Sequence, residues 1–364
     1  IKAADMIDSY NFEDRKLVEI VKATYFNPKI VVIDETTTAL SQEGREELYK
    51  HMERIRKSGN TVIFISHDLP EIIEKSDTIT ILRDGVYIDT VKSKDVNEND
   101  LKKLMVGREV TGDYYRSDYG EKVSDEVVLS VKDVTVPGLI ENVSFDLHKG
   151  EILGFGGLSE SGMHEIGKAI FGASYDREGT VELADGTQIN DIPTAIKHSI
   201  AYTSKDRDNE SVVLNQSIGD NICLPSLDEL SGPAHLISDK KKKDFANKFA
   251  KQMSVKMVDV NQFVSNLSGG NKQKVVLARW IGKDSDIVVL DSPTRGIDIK
   301  VKQDIYQLMN QMRKNGKSII MISEELMELI GMCDRIMIMK DGKISGELER
   351  DQNLDENGLI TMMV

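Results

Sequence analysis

Cysteine is scarce in this sequence, which has only Cys223 and Cys333 among its 364 residues. The two lie far apart and lack the spacing of metal ligands, which argues against a cysteine-based metal site. Such sparing use of cysteine is typical of a reducing compartment, so we expect a cytoplasmic protein.

Long apolar runs and an excess of positive charge are also missing. No apolar run approaches the roughly 20 residues that a helix needs to cross a bilayer, so we expect no membrane-spanning segment. Lysine and arginine total 47 against 61 aspartate and glutamate residues, which gives a formal net charge of −14. Nucleic acids call for a basic face, so this balance argues against them as the main partner.

The sequence does contain a repeat with a constant offset. The strings "IVVIDETTTAL" and "IVVLDSPTRGID" each end an apolar run in an aspartate, Asp34 and Asp291, and 291 − 34 = 257. The same offset matches Tyr49 with Tyr306 and continues without a gap. Each copy predicts a buried strand, an amphipathic helix, a second buried strand, another helix and a hairpin. Strands that alternate with helices indicate an α/β fold with a largely parallel sheet.

The two copies differ in what precedes the shared part. The first has only 33 residues before its aspartate, whereas the second has a long run there. Two domains are expected at this length. We predict the C-terminal half of a first domain at residues 1–95, a polar linker at 96–125 and a second domain at 126–364. Because the chain begins at Ile1 without a targeting segment, we expect a piece of a longer protein.

A glycine-rich turn lies near the start of the second domain. The string "GEILGFGGLSESGMHEIGKAIFG" predicts a strand, a turn and a helix, and Gly157 and Gly162 have the spacing of a phosphate-binding loop. That motif continues with a lysine that reaches the phosphates and a hydroxyl that holds Mg²⁺, but Met163 and His164 stand here. The loop either binds nucleotide weakly through its backbone or only packs helix against strand.

The most specific string in the chain is "NLSGGNKQKVVLARW". It puts Ser268, Gly269, Gly270 and Asn271 at a predicted helix start, where small residues let backbone N–H groups approach a phosphate. An ordinary helix cap is the alternative. The strand that follows and ends in Asp291 argues against that alternative.

These strings together resemble the ATP-binding cassette ATPases. The tandem arrangement is similar to the double-cassette ATPase subunits of bacterial monosaccharide importers, as are the strings "MVGREV" and "VSFDLHKGEILGFGGL". The resemblance covers nearly the whole chain. It implies an α/β protein with two tandem P-loop NTPase cassette domains and largely parallel sheets, the first cassette being incomplete.

In this family each ATP lies between the phosphate loop of one cassette and the signature segment of the other. For the site built on the first cassette, the resemblance implies that Asp34 holds Mg²⁺, directly or through water. It implies Glu35 as the base for the attacking water and His67 as the switch histidine near the γ-phosphate. The signature at Ser268–Asn271 would come from the second cassette, and every part of this site that the chain contains is intact.

The site built on the second cassette has lost four parts by the same comparison. Met163 replaces the lysine of the loop, Ser292 stands at the position of the base and Glu324 at that of the switch histidine. The complementary signature falls on residues 11–14, "NFED", where phenylalanine and glutamate replace two glycines. We therefore expect no hydrolysis at this site, with Asp291 retained either for the strand or for bound nucleotide.

The resemblance implies an ATPase subunit of a monosaccharide importer, with ATP and Mg²⁺ as cofactors. Its partners would be integral membrane permease subunits at the cytoplasmic face of the membrane and, through them, an extracytoplasmic sugar-binding protein. No nucleic acid is expected as a partner. The complete protein would hydrolyse ATP, whereas the 364-residue chain alone is expected to be inactive because its phosphate loop lacks lysine.

Two other interpretations fit parts of the sequence, and a third does not. An inactive fragment of a decayed gene fits the lost motifs, and a nucleotide-binding module without turnover fits the altered loop. A tandem cassette protein that acts on ribosomes or DNA would carry a long charged insert or a basic surface. This acidic chain has a short linker instead.

Overall fold

The computed structural model describes the chain apart from residues 1, 3–4, 8–9, 11, 27, 35, 41, 67, 84–85, 99, 102–103, 105–113, 120–122, 159, 233–235, 298, 352–353 and 364. The chain divides into a first unit, Ile1–Gly112 with Asp298–Lys300, and a second unit, Asp113–Ile297 with Val301–Val364. No helix among the described residues has both the length and the apolar character of a membrane span.

The first unit combines a parallel strand pair with an antiparallel hairpin. Its described strands are β1 (Ile30–Asp34) and β2 (Thr61–Ile65), which pair in parallel, and β3 (Thr78–Arg83) and β4 (Val86–Lys92), which form the hairpin. Its described helices are α1 (Phe12–Thr24), α2 (Gln42–Lys57) and α3 (Leu69–Lys75). A small core joins α1, α2 and the strand pair through Ile20, Val31, Ile33, Leu40, Leu48 and Met52.

The second unit contains a six-stranded and a three-stranded sheet. The strand bounds are β5 Val127–Val136, β6 Ile140–His148, β7 Ile152–Gly157, β8 Glu178–Leu183, β9 Ile200–Thr203, β10 Ile287–Asp291, β11 Ser318–Ile322, β12 Arg335–Lys340 and β13 Lys343–Glu349. The larger sheet has the order β13-β12-β7-β11-β10-β9, and all of its pairs are parallel except that of the edge strand β13. The smaller sheet is antiparallel with the order β6-β5-β8.

Helices connect these strands, and several begin at a side-chain cap. The Asp191 carboxylate accepts the N–H of Thr194, and Ser217 and Asp220 form a reciprocal capping box. The helix bounds from residue 163 onward are α4 Met163–Ile170, α5 Ile192–Lys197, α6 Ile218–Cys223, α7 Leu227–Leu230, α8 Asp239–Gln252, α9 Gly269–Lys283, α10 Ile299–Lys314, α11 Leu326–Met332 and α12 Glu356–Met363.

The central strands of the large sheet are buried on both faces. Every residue of β7, β10 and β11 is buried, as their almost unbroken apolar runs predict. Helix α4 contacts β10 and β11 from one side. The predicted α/β fold with a largely parallel sheet is therefore confirmed.

The 257-residue offset also relates the elements of the structure. Helices α1 and α9 begin 257 residues apart, at Phe12 and Gly269. Strand β1 pairs with β2, and β10 with β11, in equivalent registers. The hairpins β3–β4 and β12–β13 have a bulge at the same place. The first unit thus has the architecture of the second unit from α9 onward.

The two copies of the parallel strand pair differ in burial. In the first unit Ile30 and Val32 are 59% and 58% exposed, whereas their equivalents Ile287 and Val289 are 4% and 0% exposed. In the second unit β10 and β11 lie between β9 and β7 and under α4. The described part of the first unit therefore presents an apolar sheet face that its equivalent in the second unit keeps buried.

A buried glutamate holds the chain that follows β10 and β11. Glu328, on α11, is 0% exposed and accepts the hydroxyl of Thr294 at 2.5 Å. It also accepts the hydroxyls of Ser323 at 2.9 Å and Tyr306 at 2.5 Å, and Lys302 Nζ lies 3.4 Å away. We call these five residues the buried-glutamate cluster; it fixes the segments that continue both strands.

The first unit repeats this cluster at the same offset. Glu71 accepts hydroxyl groups from Thr37 at 3.0 Å, from Ser66 at 2.7 Å and from Tyr49. Arg45 stands where the second unit has Lys302, and its Nε donates to the Thr37 carbonyl oxygen at 3.1 Å. The duplication therefore extends from the backbone to a set of polar side chains around a buried glutamate.

Glu328→Ala should destabilise the second unit, because it leaves three buried hydroxyls and the Lys302 ammonium without this acceptor. We expect the free energy of unfolding to fall by about 3 kcal/mol, a typical loss when one member of a buried charged network is removed. Urea unfolding can be followed by the fluorescence of Trp280, the single tryptophan, which lies in this unit. The exposed Glu349→Ala is the control; equal unfolding midpoints for the two variants would contradict the expectation.

Candidate functional site

The turn between β7 and α4 depends on two glycines. Gly162 has a φ of 90°, and a Cβ there would lie 2.6 Å from the Leu139 carbonyl oxygen and from the Ile140 side chain. A Cβ on Gly157 would lie 2.7 Å from the Met339 carbonyl oxygen. Both positions require glycine, and the chain turns directly from the strand into the helix.

Met163, at the first position of α4, is part of the hydrophobic core. Its side chain is 0% exposed and lies in the same core as the central strands. A lysine at this position of a phosphate loop would supply a positive charge for bound phosphates. Here the side chain supplies apolar packing instead, so the loop lacks its main electrostatic attraction for nucleotide.

Four ionisable side chains meet where α4 begins and where β9, β10 and β11 end. We call His164, Lys205, Asp291 and Glu324 the four-residue cluster. His164 Nδ1 lies 2.7 Å from Asp291 Oδ1, and Lys205 Nζ donates to Glu324 Oε1 at 2.6 Å. Lys205 Nζ also lies 3.1 Å from His164 Nε2, which joins the two pairs. The carboxyl ends of parallel strands form the usual ligand-binding edge of such a sheet, so this cluster occupies the candidate site.

The His164–Asp291 contact is the buried half of this cluster. His164 is 8% and Asp291 2% exposed. Burial lowers the pKa of His164, but its hydrogen bonds with Asp291 and Glu324 outweigh burial and raise the pKa above that of an ordinary histidine. Ser292 also donates its hydroxyl to Asp291 Oδ1, at 3.1 Å. The predicted positions His164 and Asp291 are therefore brought together, and each is engaged with the other.

This set of side chains does not fit Mg²⁺. The ion needs oxygen ligands at about 2.0–2.1 Å in near-octahedral geometry and usually keeps several waters. Here the carboxylate oxygen Asp291 Oδ1 is taken by an imidazole, and the ammonium of Lys205 lies beside that imidazole. Where the chain is described, no group of three or more histidine, cysteine, aspartate or glutamate side chains is arranged to hold a metal ion.

The signature string forms the start of α9, as predicted. Ser268 is the N-cap of this 15-residue helix, and Asn271 Nδ2 donates to Ser268 Oγ at 2.9 Å. A Cβ on Gly269 would lie 3.2 Å from Arg207 Nη2. Arg207 therefore lies close to the first turn of this helix, whose backbone N–H groups have no partners within the helix and can meet an anion.

The predicted catalytic residues of the first unit are only partly visible. Asp34 ends β1 and is exposed, so its carboxylate is a fitting oxygen ligand for Mg²⁺. Glu35 and His67 lie outside the described residues. Of the string "NFED", residue 11 also lies outside them, and α1 begins at Phe12.

The sequence interpretation missed the role of Lys205. Glu324 departs from the resemblance and Lys205 has no role in the sequence pattern, yet the structure joins the two in a 2.6 Å salt bridge. Their opposite charges were the one available signal. The two residues lie 119 positions apart in the chain, so their contact could be predicted only by knowing which strands are neighbours in the sheet.

Comparison with known proteins agrees with the strings that carry the signature and the phosphate loop. The family model described as ABC transporter matches residues 140–295. The chain is 38% identical over 347 residues to the ribose import ATP-binding protein RbsA of Clostridium tetani, and the match covers 95% of this chain and 68% of that protein. The chain is also 43% identical over 347 residues to the xylose import ATP-binding protein XylG of Thermoanaerobacter pseudethanolicus. That match covers 93% of this chain and 68% of XylG.

Two solved structures of ABC transporter cassettes have a similar fold. The chain is similar to a dimeric bacterial ABC transporter cassette, MJ0796, with a TM-score of 0.54, 22% identity, and coverage of 61% of this chain and 99% of that one. A nucleotide-free ATP-binding cassette from an ABC transporter gives a TM-score of 0.55 at 18% identity, with coverage of 65% and 99%. These likenesses concern the fold and agree with the predicted cassette architecture.

His164→Gln should destabilise the second unit more at pH 6 than at pH 9. The pKa of His164 is raised in the folded state, so its contribution to stability is fully present below the unfolded value of about 6.5. That contribution is lost as the pH rises through the folded pKa. Urea unfolding followed by Trp280 fluorescence at both pH values measures the difference.

The matched control is His198→Gln, which removes a histidine of the same unit from outside the four-residue cluster. We expect its effect on the unfolding midpoint to be similar at the two pH values. An equal loss of stability at pH 6 and pH 9 in His164→Gln would contradict the assignment.

Proposed function

We propose a role in sugar import for this chain, which belongs to the ABC transporter family of ATP-binding proteins. Its membership follows from relatives such as RbsA of Clostridium tetani, which are more than 30% identical and more than two thirds covered. The complete protein is an ATP-hydrolysing subunit of a sugar importer, whereas the 364-residue chain alone stays predicted to be inactive because its phosphate loop lacks lysine.

One observation carries this function. The similarity to import ATP-binding proteins runs along nearly the whole chain, 95% of it for the ribose protein and 93% for the xylose protein. It therefore includes the first unit and the linker as well as the signature string. A pentose such as ribose or xylose is the substrate class that these relatives suggest.

The partners follow from the way an ATPase drives import. The free energy of ATP hydrolysis can move a sugar only if the ATPase contacts membrane subunits, so we assign integral membrane permease subunits as its partners. We place the chain at the cytoplasmic face of the membrane, where ATP is available. An extracytoplasmic sugar-binding protein would deliver the sugar to the same permease.

We assign the domains from the repeated elements. Residues 1–95 form the C-terminal half of one cassette, 96–125 the linker and 126–364 a second cassette. The equivalent strand registers and the duplicated buried-glutamate cluster support this assignment.

We assign the hydrolytic residues to the first cassette. Glu35 would orient or deprotonate the attacking water, Asp34 would hold Mg²⁺ directly or through water, and His67 would be the switch histidine near the γ-phosphate. When bound, Mg²⁺ would neutralise charge on the phosphate oxygens. Ser268, Gly269, Gly270 and Asn271 would bind a γ-phosphate as the signature, through backbone N–H groups at the helix start. The position of Ser268 as the N-cap of α9 supports this role.

The second cassette is a candidate for a role without turnover. Its loop has Met163 buried in the core, and Ser292 occupies the position of the base. A serine hydroxyl bonded to Asp291 is a poor general base at neutral pH. This cassette would therefore contribute its signature and its fold, while the chemistry takes place with the residues of the first.

Glu35→Gln in the chromosomal copy of the gene should abolish sugar uptake by the host. The amide keeps the size of the side chain but cannot take a proton from water, so we expect uptake to fall about 100-fold or more. Uptake of radiolabelled ribose and of radiolabelled xylose, measured in separate cultures, tests the site and the substrate class together.

Glu46→Gln is the matched control, because Glu46 is an exposed glutamate on α2. We expect uptake to remain at the level of the parent strain. Undiminished uptake of both sugars in Glu35→Gln cells would overturn the assigned base. If deletion of the whole gene leaves the uptake of both sugars unchanged, the role in pentose import is overturned.

A further inference from the structure

We propose that the second cassette excludes divalent cations, and that the side chains of His164 and Lys205 occupy the place of the metal ion. The proposal goes beyond the import function and uses only the cassette fold. It concerns which ions this site accepts, whichever sugar the transporter carries.

The first argument is geometric. His164 takes the position at which a phosphate loop carries the hydroxyl that holds Mg²⁺. The imidazole ring of His164 points into that place, because its Nδ1 lies 2.7 Å from the carboxylate of Asp291. Two groups that would share one metal ion in a working cassette are therefore in direct contact.

The second argument concerns charge. Lys205 Nζ lies 3.1 Å from His164 Nε2 and 2.6 Å from Glu324 Oε1. A divalent cation bound to Asp291 would meet the positive charge of this ammonium a few ångströms away and would be repelled by it. Each carboxylate of the cluster already has a partner, because Asp291 contacts His164 and Glu324 accepts from Lys205.

The third argument is burial. Asp291 is 2% exposed and its Oδ1 accepts from both His164 and Ser292. Mg²⁺ gives up its water reluctantly and would need room for several water ligands.

The test is a gain of metal binding when the two side chains are removed. All proteins carry Asp34→Asn, which eliminates the first-unit carboxylate. In this background, Mn²⁺ is titrated into the parent and into His164→Ser/Lys205→Gln, and free Mn²⁺ is counted by electron paramagnetic resonance, with and without ADP. Mn²⁺ is a suitable probe because it prefers the same oxygen ligands as Mg²⁺.

We expect no saturable Mn²⁺ site in the parent and one in the double variant, with at least a tenfold gain in affinity that Asp291→Asn removes. The matched control Lys197→Gln/His198→Ser removes the same two residue types from the end of α5 and should gain nothing. Trp280 fluorescence in urea verifies that each variant is folded; if the double variant is not, Lys205→Gln alone should gain the site.

Two results would overturn the proposal. One is saturable Mn²⁺ binding by the parent that disappears with Asp291→Asn, because the site would then accept a metal despite the cluster. The other is a folded double variant without a new site, because the two side chains would then not be what excludes the ion. Neither result depends on sugar uptake, so failure here is separate from failure of the import function.

Discussion

The buried carboxylate of Glu328 is the constraint on which the edge of the large sheet depends. It accepts hydroxyls from Thr294 and Ser323, which lie just beyond the ends of β10 and β11, so one buried group holds two loops in fixed positions. An unpaired buried carboxylate is costly, and the hydroxyl donors and the Lys302 ammonium make its burial possible. The first unit solves the same problem with Glu71 and equivalent donors. Both units therefore keep the same polar support beyond their paired strands.

The two aspartates illustrate how one scaffold carries two chemistries. Asp34 and Asp291 end equivalent strands, yet Asp34 is exposed and Asp291 is 2% exposed beneath an imidazole. In the second unit the phosphate loop keeps the glycines that its shape requires while Met163 has joined the core. The loop therefore has the glycines of a phosphate-binding loop but not the positive charge of its lysine. A site of this kind can preserve the packing of the cassette, which explains why the strand and its aspartate persist without the neighbouring acid.

Regular elements could be predicted well because their signals are local. The apolar runs of β10 and β11 predict buried parallel strands, and the constant offset predicts equivalent registers in both units. Contacts between distant charged residues could not be predicted in this way. Lys205 and Glu324 become neighbours only because β9 and β11 flank β10 in the sheet, and the hydroxyl donors of Glu328 are likewise spread over several elements. The sequence contained each residue but not the adjacency that gives it a role. Glu35 and His67 stay predictions, since both lie outside the described residues.

The central claim is that only one of the two cassette sites turns over. The most direct measurement is the number of ADP molecules trapped per chain by orthovanadate, which mimics the transferred phosphate, in the transporter assembled with its membrane subunits. A photoreactive radiolabelled ATP and peptide mapping would identify the cassette that holds the trapped nucleotide. The account predicts at most one trapped ADP per chain and no vanadate-dependent label on the peptide that contains Met163 and His164. Two trapped ADP per chain, with label on that peptide, would contradict it.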